Sequence, residues 1–183
     1  MKRLALLAAV MLIAAPSFVH AEQTVRVGGQ AMFPLKTIVA NAANSADHTT
    51  LVTAVKAAGL VDTLNSKGPF TVFAPTNAAF GMLPAGTVET LVKPENKPTL
   101  TKVLTYHVVA GDYDTTKLRS MILAGNGNAE LKTVQGGRLW VSMNGTNNML
   151  IKDEKGMQAS LTISDVHQSN GVIHVVDHVL MPG

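Results

Sequence analysis

Four turn signals in the last third of the chain limit its fold more than any other feature. Gly136-Gly137, Asn144-Gly145, Asp153-Glu154-Lys155-Gly156 and Asn170-Gly171 carry residues that reach positive φ or close tight hairpins. They separate five strand-like segments, at 130–134, 138–143, 149–152, 159–163 and 172–180. Strands joined by turns this short pair antiparallel, because a parallel neighbour needs a crossover of a dozen residues or more. The final strand and the hairpins could therefore offer an exposed edge for self-association.

The first part of the chain has a different grammar. Leu51, Val52, Ala54, Val55 and Ala58 recur as one face of a helix, with Asp47 or Ser45 as its cap and Gly59 as its stop. Leu60, Val61 and Leu64 suggest a further turn, and Gly68-Pro69 breaks the chain. Residues 70–74 read as a strand, ended by Pro75, with Thr76 capping a short helix over 77–82. Further short helices are expected at 87–92, 98–104 and 115–123, the last capped near Asp112 and Asp114. A strand is expected over 106–109, stopped by Gly111. Helices first and hairpins after predict an α+β fold.

Residues 1–21 read as a signal peptide. Lys2 and Arg3 precede an apolar run from Leu4 to Ala15, Pro16 breaks it, and Val19-His20-Ala21 sets small residues for cleavage before Glu22. The run is shorter than the roughly 20 residues of a membrane span, and later apolar runs are interrupted, so membrane insertion is not expected. The domain reading is 1–21 signal, 22–32 flexible leader and 33–183 one folded domain. The compartment is periplasmic or extracellular.

Composition excludes several functions. The chain has no cysteine, so thiolate metal sites and cysteine nucleophiles are absent. Fifteen Lys and Arg, less Lys2 and Arg3, leave thirteen against twelve Asp and Glu, a net charge of +1. With 4% aromatics, that leaves no basis for nucleic-acid binding.

No catalytic set emerges from spacing. His174 and His178 are four apart, but in a strand that spans ~13 Å, too far for two ligands about 2 Å from one ion. Asp177 and His178, adjacent in a strand, would point to opposite faces. His107 is open to two readings, a general base or a core histidine held by hydrogen bonds. There is no Gly-x-Ser-x-Gly elbow and no nucleotide-binding glycine pattern. Asn144-Gly145-Thr146 is a glycosylation sequon placed at an expected turn. Trp140, the only tryptophan, can be core or contact. No cofactor is expected.

Three segments in order carry a family resemblance. Thr71-Val72-Phe73-Ala74-Pro75-Thr76-Asn77-Ala78-Ala79-Phe80, the Tyr106-His107 pair, and Ser169-Asn170-Gly171-Val172-Ile173-His174-Val175-Val176-Asp177-His178-Val179-Leu180 resemble the motifs of the fasciclin-like domain family. The likeness runs from about Phe33 to Pro182. It implies a wedge-like β-sandwich of antiparallel strands with several short helices packed at one side. It also implies a non-enzymatic adhesion module that binds a cell-surface or matrix glycan or protein. The positions it singles out, for adhesion or for the fold, are Phe73, Pro75, Thr76, Phe80, Tyr106, His107, Asn170, Gly171 and His174. Asp165 and Val166 correspond to an Asp-Ile type pair associated with receptor binding in animal members. The runner-up functions are a structural or stress-related periplasmic protein acting through weak self-association and, as a minor alternative, a hydrolase.

Overall fold

The computed structural model describes residues 24–183. The expected signal peptide, residues 1–21, lies outside them. Residues 22–32 were expected as an unpacked leader. Instead β1 (Val25–Val27) and β2 (Gln30–Met32) form an antiparallel hairpin. Val27 and Met32 face inward and are buried.

Four of the helices that line the first core are α1 (Ile38–Ala42), α2 (Thr49–Ala58), α3 (Val61–Asn65) and, later in the chain, α6 (Lys97–Tyr106). Ala79 and Phe80, from a further helix, join the same core. The apolar spacing of α2 buries Leu51, Ala54, Val55 and Ala58, and Gly59 ends it at φ +73°, where a residue without Cβ is favoured. Its start differs from the expectation, since neither Ser45 nor Asp47 bonds the first turn. Asn77, from a distant helix, accepts from Thr50 N (2.9 Å) and donates to the Ala46 carbonyl (2.9 Å).

The main sheet has seven strands in the order β4-β3-β9-β8-β7-β6-β5. They are β3 (Phe70–Pro75), β4 (Val108–Ala110), β5 (Asn128–Lys132), β6 (Arg138–Asn144), β7 (Asn148–Lys152), β8 (Gln158–Gln168) and β9 (Gly171–Val176). α4 (Asn77–Gly81) follows β3, with Thr76 Oγ1 accepting from Ala79 N (3.2 Å) as expected. α5 (Thr87–Leu91) lies beyond it, and α7 (Thr115–Ala124) precedes β5. Asp114 caps α7 by accepting from Lys117 N at 2.7 Å.

The α+β arrangement is as the sequence predicts, with one topological difference. Five of the six neighbouring pairs are antiparallel, but β3 and β9 run parallel. No tight turn joins these two strands, so none dictates their direction. They lie near the middle of the fold, with a core on each face. Every residue of β9 is buried, the mark of a strand covered on both sides. Held between β3 and β8, it offers no free edge, contrary to the expectation for the final strand. The sheet also curls until its ends meet: Val109 bridges to Thr133, and Val134 N–H donates to the Val108 carbonyl (2.7 Å). The curl encloses a second core of Phe73, Leu131, Leu139, Val141 and Ile151, which Leu118 and Ile122 of α7 join.

The strand expected over 106–109 is corrected too. Tyr106 ends α6, His107 caps it, and only then does the chain extend into β4. The strand read at 172–180 stops at Val176. Among the described residues no helix is long and apolar enough to cross a membrane.

Candidate functional site

The motif residues are mostly interior ties. Phe73 is fully buried, and Phe80 and Pro75 are buried beside it in the chain. Tyr106 is 0% exposed. Its hydroxyl donates to the Arg138 carbonyl (2.6 Å) and accepts from Glu154 N (3.0 Å), tying α6 to β6 and to the β7–β8 turn. Burial pushes that hydroxyl up to about 12, so it remains a proton donor.

His107 is held through both ring nitrogens. Leu180 N–H donates to Nε2 (2.9 Å), so Nε2 is the bare nitrogen and Nδ1–H donates to the Val103 carbonyl (2.8 Å). Burial lowers its pKa to about 4, against an opposing pull from the Val103 carbonyl. Of its two readings, the structure supports the core histidine. A general base needs a free lone pair near a substrate, and this one is occupied inside the fold.

His174 repeats the pattern. Asp165 N donates to Nδ1 (3.3 Å), and Nε2–H donates to the Tyr113 carbonyl (2.8 Å). Its ring stacks on Phe73 with centroids 5.7 Å apart, and burial lowers its pKa. With both nitrogens engaged it has none to offer a metal. Asn170 is a buried clamp. Its Oδ1 accepts from Ile38 N (3.0 Å), and its Nδ2 donates to the carbonyls of Leu64 (2.7 Å) and Ser66 (3.0 Å). Gly171 follows at φ +152°, where a Cβ would stand 1.9 Å from the Phe70 carbonyl oxygen.

The Asp165–Val166 pair is split by the structure. Asp165 sits at φ +56° in an irregular stretch of β8. It accepts from Thr115 N (2.7 Å) and from the Thr115 hydroxyl, fixing the start of α7. Val166 is buried in the first core, so its side chain is not at the surface.

Asp177 and His178 do meet, contrary to the opposite-face expectation. Because β9 ends at Val176, the chain bends and His178 Nδ1 lies 2.8 Å from Asp177 Oδ1. Burial works against the Asp177 carboxylate, but hydrogen bonds from His178 and Ser160 outweigh it and lower its pKa. The imidazole is bonded to a carboxylate and, among the described residues, to no hydroxyl. No group of three potential metal ligands occurs among the described residues.

The open surface lies elsewhere. The outer face of β5–β8 carries a groove of about 740 Å³. Its floor is the half-buried pair Trp140 and Leu150, bordered by Asn128, Ser142 and Gln158. In register, Trp140 is opposite Glu130 on one side and Lys152 on the other, and Ser142 is opposite Leu150. The signal for this face was in the sequence. Leu139 and Val141 are buried while Arg138, Trp140 and Ser142 alternate with them, which puts Trp140 outward. By contrast, the apolar cavity between α1, α2, α3 and β3 holds only about 40 Å³, room for about three water molecules.

A model of the fasciclin domain matches residues 46–182. The chain is 47% identical over 147 residues to protein sll1483 of Synechocystis sp. (strain ATCC 27184 / PCC 6803 / Kazusa), covering 80% of this chain and 73% of that one. It is 35% identical over 161 residues to the cell surface glycolipoprotein MPB83 of Mycobacterium bovis, covering 85% of this chain and 64% of the relative. Among solved structures it is similar to a FAS1 domain pair from the insect cell adhesion molecule fasciclin I. The TM-score there is 0.72 at 18% identity, over 81% of this chain and 52% of that one.

Proposed function

Because the chain belongs to the fasciclin domain family, we propose that it is an exported, non-enzymatic binding module acting at the cell surface or in the surrounding matrix. The observation that carries this reading is the division of labour among its polar groups. Tyr106, His107, Asn170 and His174 are consumed by internal hydrogen bonds, and they fix a scaffold rather than face a substrate. Among the side chains left over for a partner are those on the outer face of β5–β8, which stand on rigid paired strands. A surface-exposed relative, the cell surface glycolipoprotein MPB83, supports export, as does the signal-like segment at 1–21.

Self-association through a sheet edge finds less support. β9 is central, and the two ends of the sheet engage one another at Val109 and Thr133. That contact occupies part of each end, and a bonded stretch cannot template another chain.

The test is binding of residues 22–183 to envelope material from the source cell, with polysaccharide and protein fractions kept apart. Saturable binding to one fraction is expected. A folded protein that binds neither fraction would overturn the reading.

A further inference from the structure

We propose that the Trp140 groove is a subsite for an acidic saccharide, a sugar chain bearing carboxylates. This deepens the binding-module reading and rests on it. The argument begins with the floor. A pyranose ring has one face of C–H groups and an edge of hydroxyls. Trp140 and Leu150 supply an apolar strip on an otherwise polar sheet face, and an indole offers a broad flat surface at little entropic cost.

The border matches the hydroxyl edge. Asn128, Ser142 and Gln158 are neutral groups that both donate and accept hydrogen bonds. None of their side chains makes a hydrogen bond to the protein among the described residues, so these groups are free for a ligand. A peptide fits less well. The strands beneath the groove, β6 and β7, are paired on both sides, so no backbone edge is open for strand addition.

The placement of one charge gives the ligand its sign. Three carboxylates stand at or beside the groove, and each is already engaged. Asp153 accepts from Lys155 N, Met157 N and Met181 N. Glu154 accepts from Arg138 N and Gly183 N. Glu130 pairs with Arg138 at 3.5 Å. Lys152 and Lys155 line the same groove, exposed and without an ion-pair partner among the described residues. Backbone amides hold Asp153 and Glu154 without cancelling their charge, so the groove carries both signs. Asp153 is buried, and the charged group that stands directly across from Trp140 with no ion-pair partner among the described residues is the Lys152 ammonium. A ring stacked on the indole would set its carboxylate toward that ammonium.

The chain's single tryptophan lies in the groove, so intrinsic fluorescence reports occupancy directly. Residues 22–183 are titrated with alginate oligosaccharide as the uronate probe, neutral dextran oligosaccharide, and polyglutamate as a polyanion without sugar rings. The expected result is a saturable change in Trp140 emission with alginate, at least tenfold weaker with dextran or polyglutamate, and weakened by added salt. Lys152→Gln combined with Lys155→Gln, both at exposed positions, should weaken alginate binding about tenfold and leave the melting temperature unchanged. Equal response to polyglutamate would reduce the site to a charge patch, and equal response to dextran would remove the acidic requirement. No response to alginate would remove the site itself. Each of these overturns the assignment. Trp140→Phe is then compared with the parent on the envelope fractions. Undiminished binding means the module binds elsewhere and only the groove assignment fails; no binding by the parent means the underlying reading has failed.

Discussion

Three buried imidazoles make the stability of this domain depend on pH in a defined direction. His107 is neutral in the fold, with its pKa lowered from 6.5 to about 4. An unfolded chain takes up a proton near pH 6.5, and the folded one resists until about pH 4. The stabilising contribution of the neutral ring is thus whole above pH 6.5 and is lost as pH falls toward 4, to the extent of about 3 kcal/mol. His174 and His48, also lowered by burial, add in the same sense. Urea unfolding at pH 7.5, 5.5 and 4.5 should show the decline. His107→Gln keeps an oxygen that can accept from Leu180 N, so it should fold with a lower plateau and a shallower pH slope; an unchanged slope would remove His107 from this role. Tyr106→Phe is a second test at this scale. It deletes one hydroxyl, leaving Glu154 N and the Arg138 carbonyl without their partner, and should cost about 1–3 kcal/mol in urea unfolding. Envelope binding should be preserved. Such residue roles were only half legible in the sequence. That His107 sat in apolar company could be read; that Leu180 N–H would occupy its lone pair could not, because the contact spans 73 positions.

At the scale of elements, local chemistry was legible and distant pairing was not. Thr76 and Asp114 cap their helices as read, because a cap is decided within four residues. The hairpins of β5 to β8 were visible in their turns for the same reason. The parallel union of β3 and β9 was hidden, since its strands lie about a hundred residues apart in the chain. The unbroken apolar run of β9 was its one trace, and a strand buried on both faces has that signature. Tyr106 was assigned to a strand because β-favouring residues follow it, whereas the helix beginning at Lys97 carries through it. What permits the parallel pair is Gly171. Its φ of +152° and the 1.9 Å approach of a would-be Cβ to the Phe70 oxygen leave no room for a side chain. Gly171→Ala should therefore push β9 away from β3 and lower stability by at least about 2 kcal/mol. Asn170→Ala should cost a similar amount, about 2–3 kcal/mol, by orphaning Ile38 N and the Leu64 carbonyl. A Gly171→Ala domain that unfolds at the parent's urea concentration would show that the close approach relaxes at no cost.

At the scale of the whole molecule, the question is where the folding unit begins. The family match starts at residue 46, and the sequence suggested a start near residue 33. The structure argues for an earlier limit, because the first core is not closed without the N-terminal hairpin. Val27 and Met32 are 4% and 3% exposed and pack in the same cluster as Ile38, Leu51 and Leu64. Asn41 fastens the hairpin's exit, since its side chain accepts from Phe33 N (3.0 Å), donates to the Phe33 carbonyl (2.8 Å) and also bonds Gln168. Through Gln168, at the end of β8, the N-terminal segment is tied to the sheet. A leader with no role would show none of this. Deleting it removes two buried apolar side chains, each worth about 1.5–3 kcal/mol of burial, uncovers the core they pack on, and leaves Asn41 without its backbone partners. A chain starting at Pro34 should therefore be less stable than one starting at Glu22 by about 3–5 kcal/mol, read as a lower urea midpoint with little change in slope. Double substitution of Val27 and Met32 by Ser in the longer chain should reproduce most of that loss, because it removes the packing and keeps the strands. If the shorter chain unfolds at the same midpoint, the hairpin is an appendage and the folding unit begins with α1. If the loss appears, the domain extends to residue 25, and an active binding module must be expressed from there.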